Sequence, residues 1–378
     1  MAEHFFVTGG TGLVGVNLLP RLLRMFPGST ATLLVRGEDQ EDAAARAVAI
    51  ARRIERTEAI PDASARIDGV LGDVSLDHCG LSTDALARVV RTATHIIHGA
   101  ATIRFDHPID EARAINCGGT RRMLAIAQAC HDRGRLRRFV YIGTSSVSGR
   151  RAGPIFEHEL EMGQQFFNTY EQSKCESERI VRTHAERLPT VIFRPSIIIG
   201  DSRTGRTSTF NVIYIPLRLL QKGLLMFVPG TPETTLDLVP IDWVDDVMVR
   251  LLDREDAVGK VFHVTAGPAR AARLGELVER AAAHFDAVTP MHAPRRVEFI
   301  TQEEFQRRRK AMRGMAEVLM GQIDTLLPYV SIDRLFDSSN TDAALQGSGI
   351  VFPRFAEYAE RILDYCVRSN WGKAEIDD

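Results

Sequence analysis

Several features that mark particular classes of protein are missing from this sequence. Its 378 residues include only five cysteines, none in a CxxC pair, so neither a disulfide framework nor a zinc site is expected. The formal net charge is only −2, so no overall field draws the chain to nucleic acid or to an anionic membrane. The amino terminus lacks the basic and apolar regions of a signal peptide, and the most apolar stretch, 212–228, is interrupted by charged residues. We therefore expect a cytoplasmic protein with reduced thiols, no transmembrane segment and no nucleic-acid partner.

What the sequence does contain is an ordinary globular composition, with 44% hydrophobic and 25% charged residues. In the first half, apolar runs of strand length alternate with segments of helical pattern. This alternation predicts an α/β fold with a doubly wound parallel sheet of the Rossmann type. The predicted strands are His4–Val7, Ala31–Val35, Ile67–Leu71, His95–His98, Arg138–Ile142 and Thr190–Phe193. The predicted helices are Leu13–Met25, Gln40–Thr57, Thr83–Arg91, Ile109–Arg133 and Thr169–Arg187.

The most informative segment is the first apolar run together with the glycines that follow it. Glycine tolerates positive φ, and it lets a ligand approach the backbone where a Cβ would block it. The helix that begins after these glycines offers free N–H groups and the positive end of its dipole to a phosphate. Strand, glycine turn and helix together predict a pyrophosphate-binding loop. The expected cofactor-binding residues of this loop are Thr8, Gly9, Gly12, Leu13, Val14 and Gly15.

Arg36 ends the second predicted strand, about 20 residues after the glycines, where the adenosine ribose lies in this fold. An acidic residue at this place would bind the 2′-hydroxyl of NAD. A carboxylate ~4 Å from a 2′-phosphate would instead be repelled by roughly 4 kcal/mol at surface-like dielectric, and a guanidinium gains similarly. We therefore predict NADPH as the cofactor; the alternative is a solvated arginine at a strand end.

Two further strand ends are candidates for cofactor contacts. Asp73 and Val74 follow the third strand, where the carboxylate can accept a hydrogen bond from the adenine amino group, although a turn-forming role for Asp73 is the alternative. His98, Ala100 and Ala101 end the fourth strand, where small residues let the cofactor pass close to the backbone or simply form a tight exit.

The catalytic candidates are Tyr170 and Lys174, which lie four residues apart and so share one helix face, ~6 Å apart along the axis. A free phenol has a pKa near 10, and a neighbouring ammonium lowers that pKa. The same ammonium can hold the nicotinamide ribose. Thr144 at the end of the fifth strand supplies a second hydroxyl, and Asn116 in the preceding helix completes the set. The alternative is a capping Thr, a packed Tyr and a surface Lys.

These segments resemble the extended short-chain dehydrogenase/reductases. The likeness is carried by residues 8–15, 72–74, 98–101, 116–120, Thr144 with its following serines, 170–174 and 194–196. Within that group, the chain most resembles the thioester reductase and fatty acyl-CoA reductase branch. That closer likeness rests on residues 34–36, 194–202 and 238–244, and more loosely on 335–367.

The resemblance implies an NADPH-dependent reductase that converts an acyl thioester to an aldehyde or, after a second reduction, an alcohol. Thr144 and Tyr170 would hydrogen-bond the developing oxyanion, Tyr170 would supply the proton, and Lys174 would tune Tyr170 and anchor the ribose. Asn116 would hold Lys174 through a water. Further cofactor contacts are expected at Pro195 and Ile197. No adenylation or carrier domain is expected, so the acyl group would arrive on coenzyme A or an acyl carrier protein.

Other activities stay open at this point, since an extended reductase of ketones or sterols, or a nucleotide-sugar epimerase or reductase, would share these residues. A cofactor-binding sensor without enzymatic activity is a further alternative.

The alternation stops near Gly200, so we expect an NADP-binding Rossmann domain over 1–200 and a smaller, mostly helical substrate-binding lobe over 201–378, from which 242–265 returns to the sheet. In this lobe we expect a helix over Phe210–Lys222, a turn at Phe227–Gly230, a strand at Leu236–Ile241, a helix capped by Asp242, a strand at Lys260–Thr265 and a final helix over Phe355–Val367.

Two segments of this lobe leave their roles open. The apolar stripe of residues 210–227 is either core or the wall of an acyl pocket. The run Arg307–Lys310 is either a solvated helix face or a contact for coenzyme A phosphates or an acidic carrier protein.

Overall fold

The computed structural model describes residues 2–210, 212–314, 317, 321, 327–330, 332–374 and 376. The strands in this part are β1 His4–Thr8, β2 Thr30–Val35, β3 Ile67–Leu71, β4 His95–His98, β5 Arg138–Ile142, β6 Gly153–Ile155, β7 Thr190–Pro195, β8 Ile197–Ile199, β9 Phe227–Pro229, β10 Thr235–Leu236, β11 Leu238–Pro240, β12 Val261–Val264, β13 Ala272–Arg273, β14 Glu298–Ile300 and β15 Arg334–Phe336. The helices are α1 Leu13–Met25, α2 Gln40–Glu58, α3 Ala63–Arg66, α4 Thr83–Thr92, α5 Ile109–Asp132, α6 Thr169–Arg182, α7 Tyr214–Gln221, α8 Ile241–Leu252, α9 Leu274–Val288, α10 Gln302–Ala311, α11 Leu327–Val330, α12 Ser339–Leu345 and α13 Phe355–Arg368.

A seven-stranded parallel sheet with the order β12-β7-β5-β4-β1-β2-β3 forms the centre of the molecule. The chain runs outward from β1 through β2 and β3 on one side, then returns to place β4 on the other side. Val7 therefore lies between Leu33 of β2 and Ile97 of β4. The predicted doubly wound Rossmann fold is confirmed. Its strand order reverses at β1 and β4, where open α/β sheets bind their ligands beyond the carboxyl ends of the strands.

Alternate residues of the central strands pack against opposite layers of helices. Phe5 and Val7 belong to one apolar cluster with side chains of α1, α2 and α8, whereas Phe6 belongs to a second cluster with α4 and α5. Because both faces of the sheet are covered, the strands read as continuous apolar runs in the sequence. Helices packed on both faces of the sheet hold the ends of the strands in place, and the candidate site lies at those ends.

A third apolar cluster forms the core of the carboxyl-terminal part, from α7, α9, α13 and short strands. Here the structure corrects several expectations. Phe227–Pro229 is a strand paired with β14 rather than a turn. The single strand expected at Leu236–Ile241 is divided into β10 and β11, because Asp237 between them turns its carboxylate onto the main-chain N–H groups of Ala266 and Gly267.

The ends of three helices also differ from expectation. Pro240, not Asp242, occupies the N-cap position of α8; the Asp242 carboxylate instead accepts hydrogen bonds from the N–H and hydroxyl of Ser202. Helix α6 ends at Arg182, because the chain continues in tighter turns. Helix α7 begins at Tyr214. Asn211, and parts of the expected helical tail including 318–320 and 322–326, lie outside the described residues. Among the residues described, no helix is both long and apolar enough to cross a membrane.

Candidate active site

A cavity of about 780 Å³ lies across the carboxyl ends of the central strands. Its wall contains most of the residues expected at the cofactor and at the reacting centre. These are Thr8, Gly9, Gly12, Leu13, Val14, Gly15, Arg36, Asp73, Val74, Ala100, Ala101, Thr144, Tyr170, Lys174 and Pro195.

The glycines of the first loop are required by close packing. Gly9 has a φ of +76°, and a Cβ on it would lie 2.7 Å from the carbonyl carbon of Gly99. A Cβ on Gly15 would lie 2.4 Å from the carbonyl oxygen of Gly9. Gly12 is the N-cap of α1 and supplies no side-chain cap, and the first turn of this helix holds no acidic residue. The free N–H groups and positive end of a 13-residue helix thus remain available at the cavity, as a dinucleotide phosphate requires.

The strand ends beyond this loop shape the far side of the cavity. Arg36 is exposed on the wall, and the guanidinium of Arg46 in α2 donates to its main-chain carbonyl oxygen. Two cationic side chains therefore lie near the end of β2. Asp73 Oδ1 accepts a hydrogen bond of 2.7 Å from the N–H of Ser75. Asp73 thus forms a turn, which is the alternative to a role in adenine binding. Asp73 also stays on the cavity wall.

His98, expected at the cofactor, lies behind the wall instead. Its Nδ1 is 2.8 Å from the Thr8 hydroxyl, and its Nε2 is 3.2 Å from the Thr120 hydroxyl. Burial lowers the pKa of His98 to about 3, so the ring is neutral at physiological pH. His98 orients Thr8, which itself lines the cavity and accepts a hydrogen bond from the N–H of Ala100.

Tyr170 and Thr144 are brought together by two local capping interactions. Asn168 caps α6 by accepting from the N–H of Glu171, which places Tyr170 in the first turn. Thr144 caps the short 3-10 turn Ser145–Ser148 and also hydrogen-bonds the phenol of Tyr170. The two hydroxyls that are expected from the sequence to share one substrate oxygen are therefore adjacent.

The expected lowering of the Tyr170 pKa is not found. Burial raises the pKa of Tyr170 to about 12, and the hydrogen bond with Thr144 offsets only part of that rise. The Lys174 ammonium is engaged elsewhere: it donates to the carbonyl oxygen of Ile142 at 2.9 Å. Burial lowers the pKa of Lys174 to about 8, although the Glu178 carboxylate one turn later in the helix opposes this shift. Tyr170 is thus a protonated phenol, able to donate its proton.

Asn116 is buried, and its amide is occupied by the protein. Oδ1 accepts from the N–H of Thr102 at 2.9 Å, while Nδ2 donates to the Ser173 hydroxyl at 2.9 Å and to the Thr102 carbonyl oxygen at 3.3 Å. Both amide hydrogens and one lone pair of Oδ1 are thus used within the protein. Asn116 ties the loop after β4 to α6, the helix that carries Tyr170 and Lys174, and the water between Asn116 and Lys174 stays a prediction.

A second cavity, of about 440 Å³, meets the first one at the candidate catalytic residues. Leu13, Thr144 and Tyr170 line both cavities. The second cavity is mostly apolar, with walls that include Ile103, Phe105, Ile197, Ile198, Val212, Ile215, Ile332 and Phe336. Ile197, expected at the cofactor, is therefore placed on this second cavity. The polar residues on its wall are Arg104, Asp106, Thr144, Ser145, Ser146, Tyr170, Ser196, Thr235, Asp237, Tyr329 and Arg334.

Sequence reasoning missed most of this wall. The apolar stripe around α7 packs into the core of the carboxyl-terminal part through residues such as Ile213 and Leu217. Val212 and Ile215 line the cavity instead.

In the run Arg307–Lys310, Arg307 pairs with Glu304, and Arg308 pairs with Glu298 at 2.6 Å, as on a solvated helix face. No motif or periodicity in the sequence indicates that Tyr329 and Arg334 belong to the site.

The fold and the two joined cavities define a dinucleotide-binding oxidoreductase of the extended short-chain dehydrogenase/reductase class. A family of NAD-binding domains described as male sterility protein matches residues 7–248. The chain therefore belongs to this family, within the thioester-reductase branch of the extended short-chain dehydrogenase/reductases. A nicotinamide dinucleotide is accordingly the kind of cofactor that this family uses.

Comparisons with individual proteins agree with this assignment. The chain is similar to the fatty acyl-CoA reductase wat of Drosophila melanogaster, with 29% identity over 268 residues, covering 63% of this chain and 51% of that protein. It thus spans about half the length of that relative. Among solved structures, it resembles the terminal R domain from the myxalamid PKS-NRPS biosynthetic pathway, with 26% identity, a TM-score of 0.82, and coverage of 99% of this chain and 93% of that one. The reductase domain of a nonribosomal peptide synthetase from Mycobacterium tuberculosis, 20% identical with a TM-score of 0.74 over 99% of this chain and 93% of that one, shares the fold.

Proposed function

We propose that this chain is an NADPH-dependent reductase that converts an acyl thioester to an aldehyde and, by a second reduction, to an alcohol. The observation that carries this proposal is the junction of the two cavities at Thr144 and Tyr170. One cavity has the glycine loop and helix terminus that suit a dinucleotide, and the other is mostly apolar. Their shared wall holds two adjacent hydroxyls, where a carbonyl oxygen would be bound. An apolar cavity suits an acyl chain better than a nucleotide sugar.

The preference for NADPH over NADH is supported by charge at the end of β2. Arg36 stands where an NAD-binding protein of this fold carries an acidic residue, and Arg46 adds a second cation beside it. The guanidinium groups would attract a 2′-phosphate, and their planar fork matches phosphate oxygens. The glycine loop with Thr8 and the first turn of α1 would hold the pyrophosphate, with Asp73 and Val74 near the adenine and Ala100, Ala101 and Pro195 nearer the nicotinamide.

The mechanism follows from the protonation states of the two hydroxyl groups. When bound, the nicotinamide supplies the hydride that the thioester carbonyl carbon accepts. Thr144 and Tyr170 would hydrogen-bond the carbonyl oxygen as negative charge develops there. With its pKa raised to about 12, Tyr170 holds a proton that it can give to that oxygen. The tetrahedral hemithioacetal then loses the thiol, which leaves the aldehyde. Lys174 would hold the ribose and supply positive charge beneath the site.

The proposal also assigns cofactor binding and substrate binding to different parts of the chain. Residues 1–200, together with 242–265, would form the cofactor-binding unit, since β12 pairs with β7 through Val264 and Pro195. The remaining residues of 201–378 would form the substrate lobe. The acyl group would arrive on coenzyme A or on an acyl carrier protein. We expect the reaction in the cytoplasm, because all five cysteines are unpaired.

The test is NADPH oxidation by the purified chain with a series of acyl-CoA thioesters of increasing length, with each product identified by mass spectrometry. Formation of the aldehyde or alcohol with stoichiometric loss of NADPH is the expected result. A ketone, a sterol and a UDP-sugar serve as competing substrates. Turnover of one of these, with no turnover of any thioester, would contradict the proposal.

A further inference from the structure

Ser196 lies at the junction of the two cavities but takes no part in the proposed mechanism. It follows Pro195, the last residue of β7, and it lies on the walls of both cavities, as Thr144 and Tyr170 do. The Ser196 hydroxyl contacts the carboxylate of Asp237, with 2.5 Å between Ser196 Oγ and Asp237 Oδ1. A hydroxyl with a defined partner is therefore present where the reacting end of an acyl chain would enter.

The Asp237 carboxylate accepts hydrogen bonds from three donors. Besides the Ser196 hydroxyl, the main-chain N–H of Ala266 donates to Oδ1 at 2.8 Å, and that of Gly267 donates to Oδ2 at 3.0 Å. Burial raises the pKa of Asp237, but the three hydrogen bonds oppose this rise because they favour the ionised form. A carboxylate that accepts from every partner is thus the form that these donors fit.

The negative charge of Asp237 determines how Ser196 can interact with a ligand. A hydroxyl has one proton and two lone pairs, whereas an ionised carboxylate can only accept. The proton of Ser196 is therefore directed at Asp237 Oδ1. Within the part of the chain that the structure describes, no other group is hydrogen-bonded to the Ser196 hydroxyl. Ser196 thus offers an acceptor, and not a donor, to a ligand at the junction.

The place of this acceptor indicates where a matching donor would lie on the substrate. Thr144 and Tyr170 would bind the carbonyl oxygen of the thioester, and Ser196 shares both cavities with them. A donor that reaches Ser196 would then be attached within a few bonds of the carbonyl carbon. A neutral hydroxyl suits this wall better than an ammonium, because the cavity is mostly apolar and Arg270 already places positive charge near Asp237.

We propose that Ser196, held as an acceptor by Asp237, binds a hydroxyl on the α- or β-carbon of the acyl chain, so that the site prefers hydroxyacyl thioesters to unsubstituted thioesters of the same length. This inference rests on the proposed function, because it names the substrate class of that same site. Ser196 would contact the substrate, and Asp237 would be a positioning residue. Since the carbon that bears the hydroxyl is a stereocentre and Ser196 lies on one wall, one enantiomer should be favoured.

The probes are octanoyl-CoA, the separate enantiomers of α- and β-hydroxyoctanoyl-CoA, and the corresponding α-oxo and β-oxo thioesters. An oxo thioester carries an oxygen at the same carbon but no proton, so it tests whether Ser196 accepts or donates. Affinities are measured by calorimetry on the protein saturated with tetrahydro-NADP, a cofactor analogue that transfers no hydride. We expect one hydroxy enantiomer to bind about 10-fold more tightly than both octanoyl-CoA and its oxo counterpart.

Two variants separate the contact with the substrate from the positioning of Ser196. Ser196→Ala removes the acceptor, so the affinity ratio of the hydroxy thioester to octanoyl-CoA should fall to near one. Asp237→Asn keeps the shape of the side chain and removes its charge, so Ser196 can rotate and donate. The oxo thioester should then bind more tightly, and the affinity ratio of the hydroxy to the oxo thioester should fall towards one.

Ser202→Ala is the matched control, because Ser202 also donates to a buried carboxylate, that of Asp242 at 2.6 Å, and lies on the wall of neither cavity. This control should keep both wild-type ratios. If Asp237→Asn does not fold, Ser196→Ala and the control still report on the contact with the substrate.

The proposal is overturned if the wild-type chain binds no hydroxy enantiomer more tightly than octanoyl-CoA, if it binds none of the thioesters, or if the preference survives in Ser196→Ala. A Ser196→Ala protein that keeps the preference but binds tetrahydro-NADP more weakly would assign Ser196 to the cofactor instead. The reductase activity is judged separately by NADPH oxidation with octanoyl-CoA and with the preferred hydroxy thioester. A chain that prefers the hydroxy thioester but oxidises NADPH with neither compound would retain the contact at Ser196 and lose the proposed reaction.

Discussion

The Lys174 ammonium lies 4.4 Å from the centroid of the Tyr141 ring and 2.9 Å from the carbonyl oxygen of Ile142. Both partners belong to β5, so the lysine is joined to the strand end rather than to the neighbouring phenol on its own helix. A desolvated ammonium over an aromatic face gains ~2 kcal/mol, which helps to offset the cost of burial. The position of Lys174 is thus fixed before any cofactor binds, while its proton is weakly held.

The first prediction concerns pH. Burial lowers the pKa of Lys174 from 10.5 to about 8, so its charge is lost as the pH rises through that value. If that charge supports catalysis, kcat/KM should be constant near neutrality and fall above about pH 8. Lys174→Arg keeps a cation at every accessible pH and should lack this alkaline limb, whatever its absolute rate. The exposed Lys222→Arg is the control and should retain the limb. A limb that persists in Lys174→Arg would assign the titration to another group.

The second prediction concerns the proton donor. Tyr170→Phe removes the phenolic hydroxyl and keeps the ring that packs at 5.7 Å, between centroids, from Phe105. We expect kcat to fall by about 100- to 10,000-fold, the usual contribution of a general acid. NADPH affinity, measured by fluorescence titration, should stay within about twofold, since most of the residues proposed to bind the cofactor lie elsewhere on the cavity wall. Tyr365 lies on α13, where its ring stacks on Phe210, so Tyr365→Phe should change neither quantity. A Tyr170→Phe protein with wild-type turnover would remove Tyr170 from the mechanism.

The third prediction concerns cofactor preference. Arg36→Asp replaces attraction for a 2′-phosphate with repulsion, so the KM for NADPH should rise on the order of 100-fold, or ~3 kcal/mol. The KM for NADH should change much less, because NADH lacks that phosphate. Arg53→Asp makes the same charge change on an exposed face of α2 and should leave both values near wild type. Equal effects of Arg36→Asp on both cofactors would remove the assignment of NADPH.

The fourth prediction tests the glycine loop. A Cβ on Gly15 would lie 2.4 Å from the Gly9 carbonyl oxygen and 2.5 Å from the Gly10 Cα, so Gly15→Ala must displace the loop. We expect NADPH affinity to fall by at least about 10-fold, a loss of ~1.4 kcal/mol. Gly118→Ala in α5 is the control, because the close neighbour of its Cβ would be the flexible end of Arg122 at 2.8 Å, while the Arg113 carbonyl oxygen at 3.7 Å is an ordinary contact. That substitution should leave affinity unchanged and stabilise the helix by up to ~1 kcal/mol. Unchanged affinity in Gly15→Ala would mean that the loop tolerates the movement.

The sequence predicted the sheet and the loop well because their signals are local. The run through Phe5 and Val7 is apolar on both faces, and the glycines follow within a few residues. The short strand pairs of the substrate lobe have no such signal. Phe227–Pro229 is three residues long, and its partner Glu298–Ile300 lies far along the chain, so no periodicity could reveal the pairing.

The pKa shifts and hydrogen-bond partners of the site could not be predicted from the sequence without the fold. The spacing of Tyr170 and Lys174 shows that they share a helix face, but not that burial raises the pKa of the phenol. The hydrogen-bond partners of Asn116 and His98 also come from distant segments of the chain. These partners show that both residues hold other residues of the site in place. Patterns in the sequence identify such residues, and only tertiary packing assigns their partners.

The fifth prediction concerns stability. The buried Glu157 carboxylate accepts hydrogen bonds from the main-chain N–H groups of His263 in β12, at 2.8 Å, and of Asn340 in α12, at 2.6 Å. Glu157→Ala would leave both N–H groups without this acceptor, so we expect a loss of ~2–4 kcal/mol in the free energy of unfolding, measured with urea. Glu161→Ala removes an exposed partner of Arg179 and should cost no more than ~0.5 kcal/mol.

The cost of Glu157→Ala should also depend on pH. Burial raises the pKa of Glu157 from 4.5 to about 7, so between these values the folded protein holds a proton that the unfolded chain has lost. The stability that this group contributes is therefore fully present below the lower value and declines as the pH rises through the higher one. Glu157→Ala should be more destabilising near pH 5 than near pH 8, because the variant lacks this titration. A cost that is the same at both pH values would show that the carboxyl titrates normally in the folded protein.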